Sequence, residues 1–456
     1  MIIRYIDPLE RLEYEINQRR EEGSEFNDIM SAFQKLRLEP AEEARPKAYE
    51  ILSRLMIKDT TTPNKPSDEP DDLNIIRQTA LINHPGHTLN ESELYDKILG
   101  GWLGRSAGCL LGKPVERHMR PALREMLESN KEWPLDNYWT EVGMSLEILG
   151  RYPWKQRLGY ESLRENITCM PEDDDLNYVM LNLHIMEKYG YDFTSNDVAT
   201  EWLTNLPAFQ VFTAERVAYF NLLEGRDVPD SATHMNPFRE WIGAQIRADL
   251  WGYVCPGDPM LATELAWRDG RISHTRNGIY GEIFYAALIA MAFIENDPRK
   301  LIEAALTYIP SNSRMAKAIG IILTLPIGSM DWEDVLDKLQ EHFGAYHWVH
   351  SINNAALTVA ALLAGDGDYE KTICYTVMGG WDTDSNGATA GSIIGIIQGA
   401  KALPEKWTGP LNNRIRSSLG NFDNSNFTDL AQRTFIVTQR PVDQTSTGSH
   451  HHTDDF

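Results

Sequence analysis

The stretch "VMGGWDTDSNGATAGSIIGIIQGA", residues 377–400, places glycine at every fourth position from Gly387 through Gly391 and Gly395 to Gly399, directly after Asp382 and Asp384. A glycine in a helix interior costs about 1 kcal/mol against alanine, because more backbone freedom is lost and no side chain packs. At this spacing the four glycines share one helical face. Such a face lets a second helix approach closely, which predicts a helical body and brings two helix N-termini, with their aspartates, around one site. A close crossing with no catalytic meaning is the alternative. In a membrane the same stripe would suggest dimerising spans, but this segment is short and punctuated. No apolar run in the chain approaches the roughly 20 residues of a membrane helix.

The paired acids are the second constraint. Asp382 and Asp384, with Thr383 and Ser385, offer hard oxygen donors at a helix entry, a set that selects Mg²⁺, Mn²⁺ or Ca²⁺ over zinc or copper. A second cluster, "MPEDDDLNYVM", sets Asp173, Asp174 and Asp175 ahead of an amphipathic helix. One aspartate there is accounted for by capping and by the helix dipole. Three in a row, after Glu172, repel one another, and a cation relieves that repulsion most simply.

A formal net charge of -23, from 66 acidic and 43 basic side chains, repels polyanions and argues against nucleic-acid binding. A phosphorylated small molecule then needs local cations, from a metal or an arginine cluster. The charged N-terminus lacks a secretory pattern, so a cytoplasmic, membrane-free protein is expected. Cys109, Cys169, Cys255 and Cys374 lie too far apart for a zinc motif and read as buried thiols. Residues 1–57 read as a polar helical extension and 58–94 as a linker, because "KDTTTPNKPSDEPDD" is rich in proline and charge and cannot bury much. Residues 95–440 read as the main domain: Leu176, Val179, Met180, Leu183 and Met186 follow helical spacing, and strand alternation is scarce. Residues 441–456, with His450, His451 and His452, read as a disordered tail.

The chain resembles the ADP-ribosylglycohydrolase family, which includes the dinitrogenase reductase activating glycohydrolases and the ADP-ribosyl-acceptor hydrolases. "ILGGWLGRSAGCLLGKPVE" resembles the opening glycine-rich helix and its following glutamate, "PEDDDLNY" the first metal motif, "GGWDTDSN" the second, and "ISHTRNGIYGE" a loop lining the ribose and phosphate pocket. The resemblance runs from about Lys97 to Trp407 and implies a compact all-α, multi-helix orthogonal bundle with two Mg²⁺ ions, or Mn²⁺, in a central cleft. It assigns Asp382, Asp384 and Ser385 to the metals, Ser385 standing for the usual threonine. In the first motif the ligand pair is Asp174 with Asp175 or Asp173 with Asp174, and an acid replaces the usual threonine. Cys109 stands where aspartate is usual.

By the same resemblance, Glu116 lies near the scissile bond, though a solvated turn residue fits the sequence as well. His274, Arg276, Asn277, Gly278 and Tyr280 contact ribose and phosphate, with a cap or core histidine the alternative for His274. Asp174, Asp384 or Glu116 serves as acid or base. The implied activity is Mg²⁺-dependent hydrolysis of a ribosyl C1 bond, releasing ADP-ribose from a protein or small molecule. A nucleoside N-glycosidase and a non-catalytic protein like the J1 crystallins are the alternatives. The extension's composition permits capping of the cleft, oligomer contacts or partner binding, and leaves the oligomeric state open.

Overall fold

A computed structural model describes residues 4–23, 27–61, 68–77, 89–154 and 156–440. Among these residues there is no strand, only three isolated bridges, and no helix is long and apolar enough to cross a membrane. The anticipated tail at 441–456 lies outside the described residues.

The extension forms α1 (Pro8–Glu21), α2 (Asn27–Leu36) and α3 (Ala41–Thr61). The main body contains α4 (Glu91–Gly112), α5 (Asp174–Tyr189), α6 (Asn277–Ala292), α7 (Arg314–Thr324), α8 (Ser351–Gly365), α9 (Tyr369–Met378), α10 (Thr383–Gln398) and α11 (Phe427–Thr438), together with further helices. All of α6 is buried, in keeping with its largely apolar, alanine-rich sequence. The helical spacing read in α5 holds, since Leu176, Val179, Met180, Leu183 and Met186 are all buried.

The glycine stripe of α10 meets a second stripe on α4. Gly100, Gly104 and Gly108 face Gly395, Gly391 and Gly387, and Gly112 faces Thr383, so the two helices run antiparallel. A Cβ added to Gly104 would lie 3.0 Å from the carbonyl carbon of Gly391 and closer still to its oxygen. Real Cβ atoms essentially never come within 3.0 Å of another heavy atom, so the two backbones are in direct contact. The contact therefore sets the C-terminal end of α4 against the N-terminus of α10, so the second aspartate-bearing N-terminus, that of α5, is not the helix that packs on the stripe. Gly399 is outside the stripe: it ends α10 at φ +77, a backbone region that favours glycine.

The segment read as a linker is partly built into the body. Glu69 is 3 % exposed and pairs with Arg314 at 2.8 Å, the carbonyl of Pro70 accepts from Tyr280, and Asp71 accepts from the Arg276 N–H at 2.7 Å. Proline and charge do not keep these residues in water because the body supplies arginines as partners. α1–α3 enclose a small second core, including Leu12, Ile16, Phe33 and Leu52, to which Met235 of the body contributes. Cys109, Cys255 and Cys374 are buried, whereas Cys169 is half-buried.

Candidate active site

A cleft of about 460 Å³ opens where the N-termini of α5 and α10 meet the C-terminal end of α4. Its walls include Glu116, Glu172, Asp173, Asp174, Asp175, Asp382, Asp384 and Ser385, so both acidic motifs and the glutamate after α4 converge. Backbone contacts fix the second motif. Thr383 Oγ1 donates to the Gly112 carbonyl at 2.8 Å, and Asn354 of α8 accepts from the Asp382 N–H at 3.2 Å. Two left-handed residues, Gly380 at φ +76 and Trp381 at φ +59, turn the chain into α10.

The first motif is held by cations. Asp173 caps α5, accepting from the Asp175 N–H at 2.9 Å, and pairs with the buried Lys113. Burial opposes the charge on Lys113, but the Asp173 carboxylate outweighs it and holds the ammonium's pKa above the ordinary lysine range. Asp175 pairs with Arg105 at 3.1 Å, and Arg105 also binds Asp249 at 2.7 Å and the Asp175 carbonyl at 2.8 Å. Burial, reinforced by neighbouring Asp173, pushes the Asp175 carboxyl well above the usual range, against the pull of Arg105. Ser385 Oγ joins the motifs, 3.1 Å from Asp175 Oδ2 and 3.2 Å from Asp382 Oδ1. Asp174, the first residue of α5, is the less buried member of the triplet and lines the cleft.

Ligand atoms of Glu116, Asp382 and Asp384 lie within 4.8 Å of one another, as do those of Cys109, Asp173 and Asp175. The first group is all carboxylate and suits a hard divalent cation. The second contains a thiol that burial drives well above its ordinary pKa, a poor donor to a hard ion.

The 274–280 stretch does not line this cleft, which corrects its assignment to ribose and phosphate. Arg276 is 8 % exposed; it pairs with Glu22 after α1 and, at 3.1 Å, with Glu240. Asn277 donates to Glu240 at 3.2 Å and accepts from the Met315 N–H at 3.0 Å. Tyr280 donates to the Pro70 carbonyl, and Gly278 lies directly under the Arg239 carbonyl. His274 is buried beside Ser273 at 2.8 Å, its pKa held well below the ordinary value by burial and by Arg247. The stretch anchors the extension and the 69–71 segment to the body.

Several wall residues were not anticipated. Lys113 sits one helical turn after Cys109, a spacing that could have placed it beside the first motif. Glu215 is buried and 2.9 Å from Arg247, and burial pushes its carboxyl up to about 7 despite that arginine. Trp241 stacks on His347 with ring centres 4.2 Å apart, and burial lowers His347 to about 4. From the extension come Arg4, Tyr5 and Tyr14.

The all-α body thus presents an acid-lined cleft at paired helix N-termini, a donor set suited to a hard divalent cation. Residues 90–443 match the ADP-ribosylglycohydrolase family, and the chain belongs to it. A protein of Archaeoglobus fulgidus without an assigned function is 25% identical over 246 residues, 53% of this chain and 75% of that one. A solved structure described as an ADP-ribosylglycohydrolase-related protein complex aligns at 16% identity with a TM-score of 0.46, covering 76% of this chain and 98% of that chain.

Proposed function

We propose that the chain hydrolyses the ribosyl C1 bond of an ADP-ribosylated compound with the help of Mg²⁺. The convergence of Glu116, Asp174, Asp382, Asp384 and Ser385 in one cleft supports this reading. These side chains would hold the cation, which when bound supplies positive charge to ribose hydroxyls and lowers the pKa of a water. Asp173 and Asp175 are secured by Lys113 and Arg105 and position the first motif.

Cleavage builds positive charge on the sugar and requires an oriented water. The carboxylates favour that charge electrostatically. Glu116, on the cleft wall, takes the proton from the attacking water as the water's oxygen bonds to C1 and returns it to the departing nitrogen or oxygen as the C1 bond breaks.

The test is incubation of the full chain with ADP-ribosyl-arginine, ADP-ribosyl-serine, an ADP-ribosylated protein and simple nucleosides, with Mg²⁺ or EDTA, with products identified by mass spectrometry. Release of ADP-ribose that EDTA abolishes is expected, with loss of at least about a hundred-fold in Asp384→Asn. Ribose released from a nucleoside, with ADP-ribosyl compounds intact, would select an N-glycosidase. No product from any substrate would favour a non-catalytic role.

A further inference from the structure

With net charge -23, the protein repels a diphosphate unless the cleft supplies cations. Arg276, the arginine expected to do so, is committed to Glu22 and Glu240. Within the cleft Lys113 is committed to Asp173, and His347, lowered to about 4, is neutral at pH 7. Two cations on the described walls remain loosely engaged. Arg4 is exposed, 4.0 Å from Glu10, and Arg117 is exposed, 3.6 Å from Glu116. Both are distances of weak, solvent-screened pairs.

Arg4 comes from the segment ahead of α1 and Arg117 from the turn after Glu116. Both arginines are near enough to Tyr5 and Tyr14 to pull against the rise that burial imposes on those phenols. The Arg4 guanidinium lies 4.7 Å from the centre of the Tyr5 ring. Arg117 has φ +77, a left-handed conformation uncommon outside glycine and concentrated at functional sites. α1, which follows Arg4 and Tyr5 and carries Tyr14, is clamped in place: Glu15 binds Arg239 at 2.7 Å, Glu22 just after the helix binds Arg239 at 2.7 Å, and Gln18 donates to Glu240 at 2.8 Å. Arg4, Tyr5 and Tyr14 all precede residue 90, where the family match begins.

We propose that Arg4 and Arg117 form the anion-binding end of the cleft, so that the N-terminal extension completes the substrate site and selects a ribosyl substrate bearing a diphosphate over an uncharged nucleoside. This rests on the function proposed above and names its substrate class. Guanidinium groups suit the role because they bind phosphate oxygens in a two-pronged manner.

The experiment is calorimetric titration of the full chain with ADP-ribose and with adenosine in Mg²⁺, for wild type and the double variant R4A/R117N. Asparagine is chosen because it tolerates the left-handed backbone at 117. The variant should bind ADP-ribose roughly ten- to a hundred-fold more weakly, from the loss of two charged hydrogen-bonding groups, with a shallower dependence on salt. Adenosine affinity and the thermal midpoint should stay at wild-type values. ADP-ribose binding within two-fold of wild type, or an unchanged salt dependence, overturns the proposal, as does equal weakening of both ligands. If wild type does not bind ADP-ribose, both this proposal and the proposed function fall. If it binds ADP-ribose through the two arginines yet hydrolyses no ADP-ribosyl compound, the function falls and the anion site stands.

Discussion

Replacing Gly104 by alanine sets two known effects against each other. Alanine raises intrinsic helix stability by about 1 kcal/mol. At Gly104 the new methyl would start 3.0 Å from the Gly391 carbonyl carbon and 3.1 Å from the Gly395 Cα, with the Gly391 oxygen closer than either. Ordinary contact begins near 3.4 Å, so α4 and α10 must part by about 1 Å, a gap that forfeits a quarter to a half of each van der Waals contact it opens. Backbone cannot rotate aside as a flexible side chain would. The Gly104 carbonyl also accepts from Tyr369 at 2.8 Å, which ties it to α9 and resists the shift. Overpacking of this kind costs about 1–3 kcal/mol or more. Set against the propensity gain, we expect Gly104→Ala to destabilise by about 2 kcal/mol.

Gly320 in α7 is the matched control, since a Cβ there meets nothing within 4 Å. Gly320→Ala should stabilise by about 0.5–1 kcal/mol through propensity alone. Unfolding of 456 residues at roughly 2.1 cal/mol/K per residue gives about 1 kcal/mol/K, so the midpoints should move by about -2 °C and up to about +1 °C. Thermal melts followed by circular dichroism resolve that difference in sign. A Gly104→Ala protein as stable as Gly320→Ala would refute the claim that the two backbones touch.

Two further outcomes follow from the buried charges. Lys113→Met should destabilise the protein in EDTA by about 3–5 kcal/mol in urea titration, because Asp173 is left buried without its cation; adding Asp173→Asn should restore most of this, and a double variant as unstable as the single would show that the pair is not the cause. Glu215 titrates at about 7 in the fold against an ordinary 4.5. Its contribution is fully present below about pH 4.5 and is lost as pH rises through 7, by about 3 kcal/mol at 1.36 kcal/mol per unit. The stability of Glu215→Gln relative to wild type should therefore climb across that window, and a difference that stays flat with pH would disprove the shift.

Legibility in the sequence followed the range of the interactions. The acids of the second motif lie two residues apart at a helix start, and their shared position is a local consequence of helix geometry. The α10 stripe was equally legible, and its partner stripe on α4 has the same four-residue spacing, a match in period that sequence alone could have paired. Ser385 could be named as a candidate ligand, but its place between Asp175 and Asp382 could not, because that depends on how α5 meets α10. Arg276 failed for the same reason in reverse. An arginine two residues ahead of a glycine in "HTRNG" has the local chemistry of a phosphate site, yet its partner Glu22 lies 254 residues away and only the folded chain brings that carboxylate over it. The extra acid in the first motif illustrates the point further. Asp173 looked like surplus negative charge awaiting a metal, whereas Lys113 from the end of α4 already neutralises it. Burial obliges a charge to find a partner, so an arginine or aspartate that looks available in the sequence is a ligand-binding group only where the fold has not already paired it.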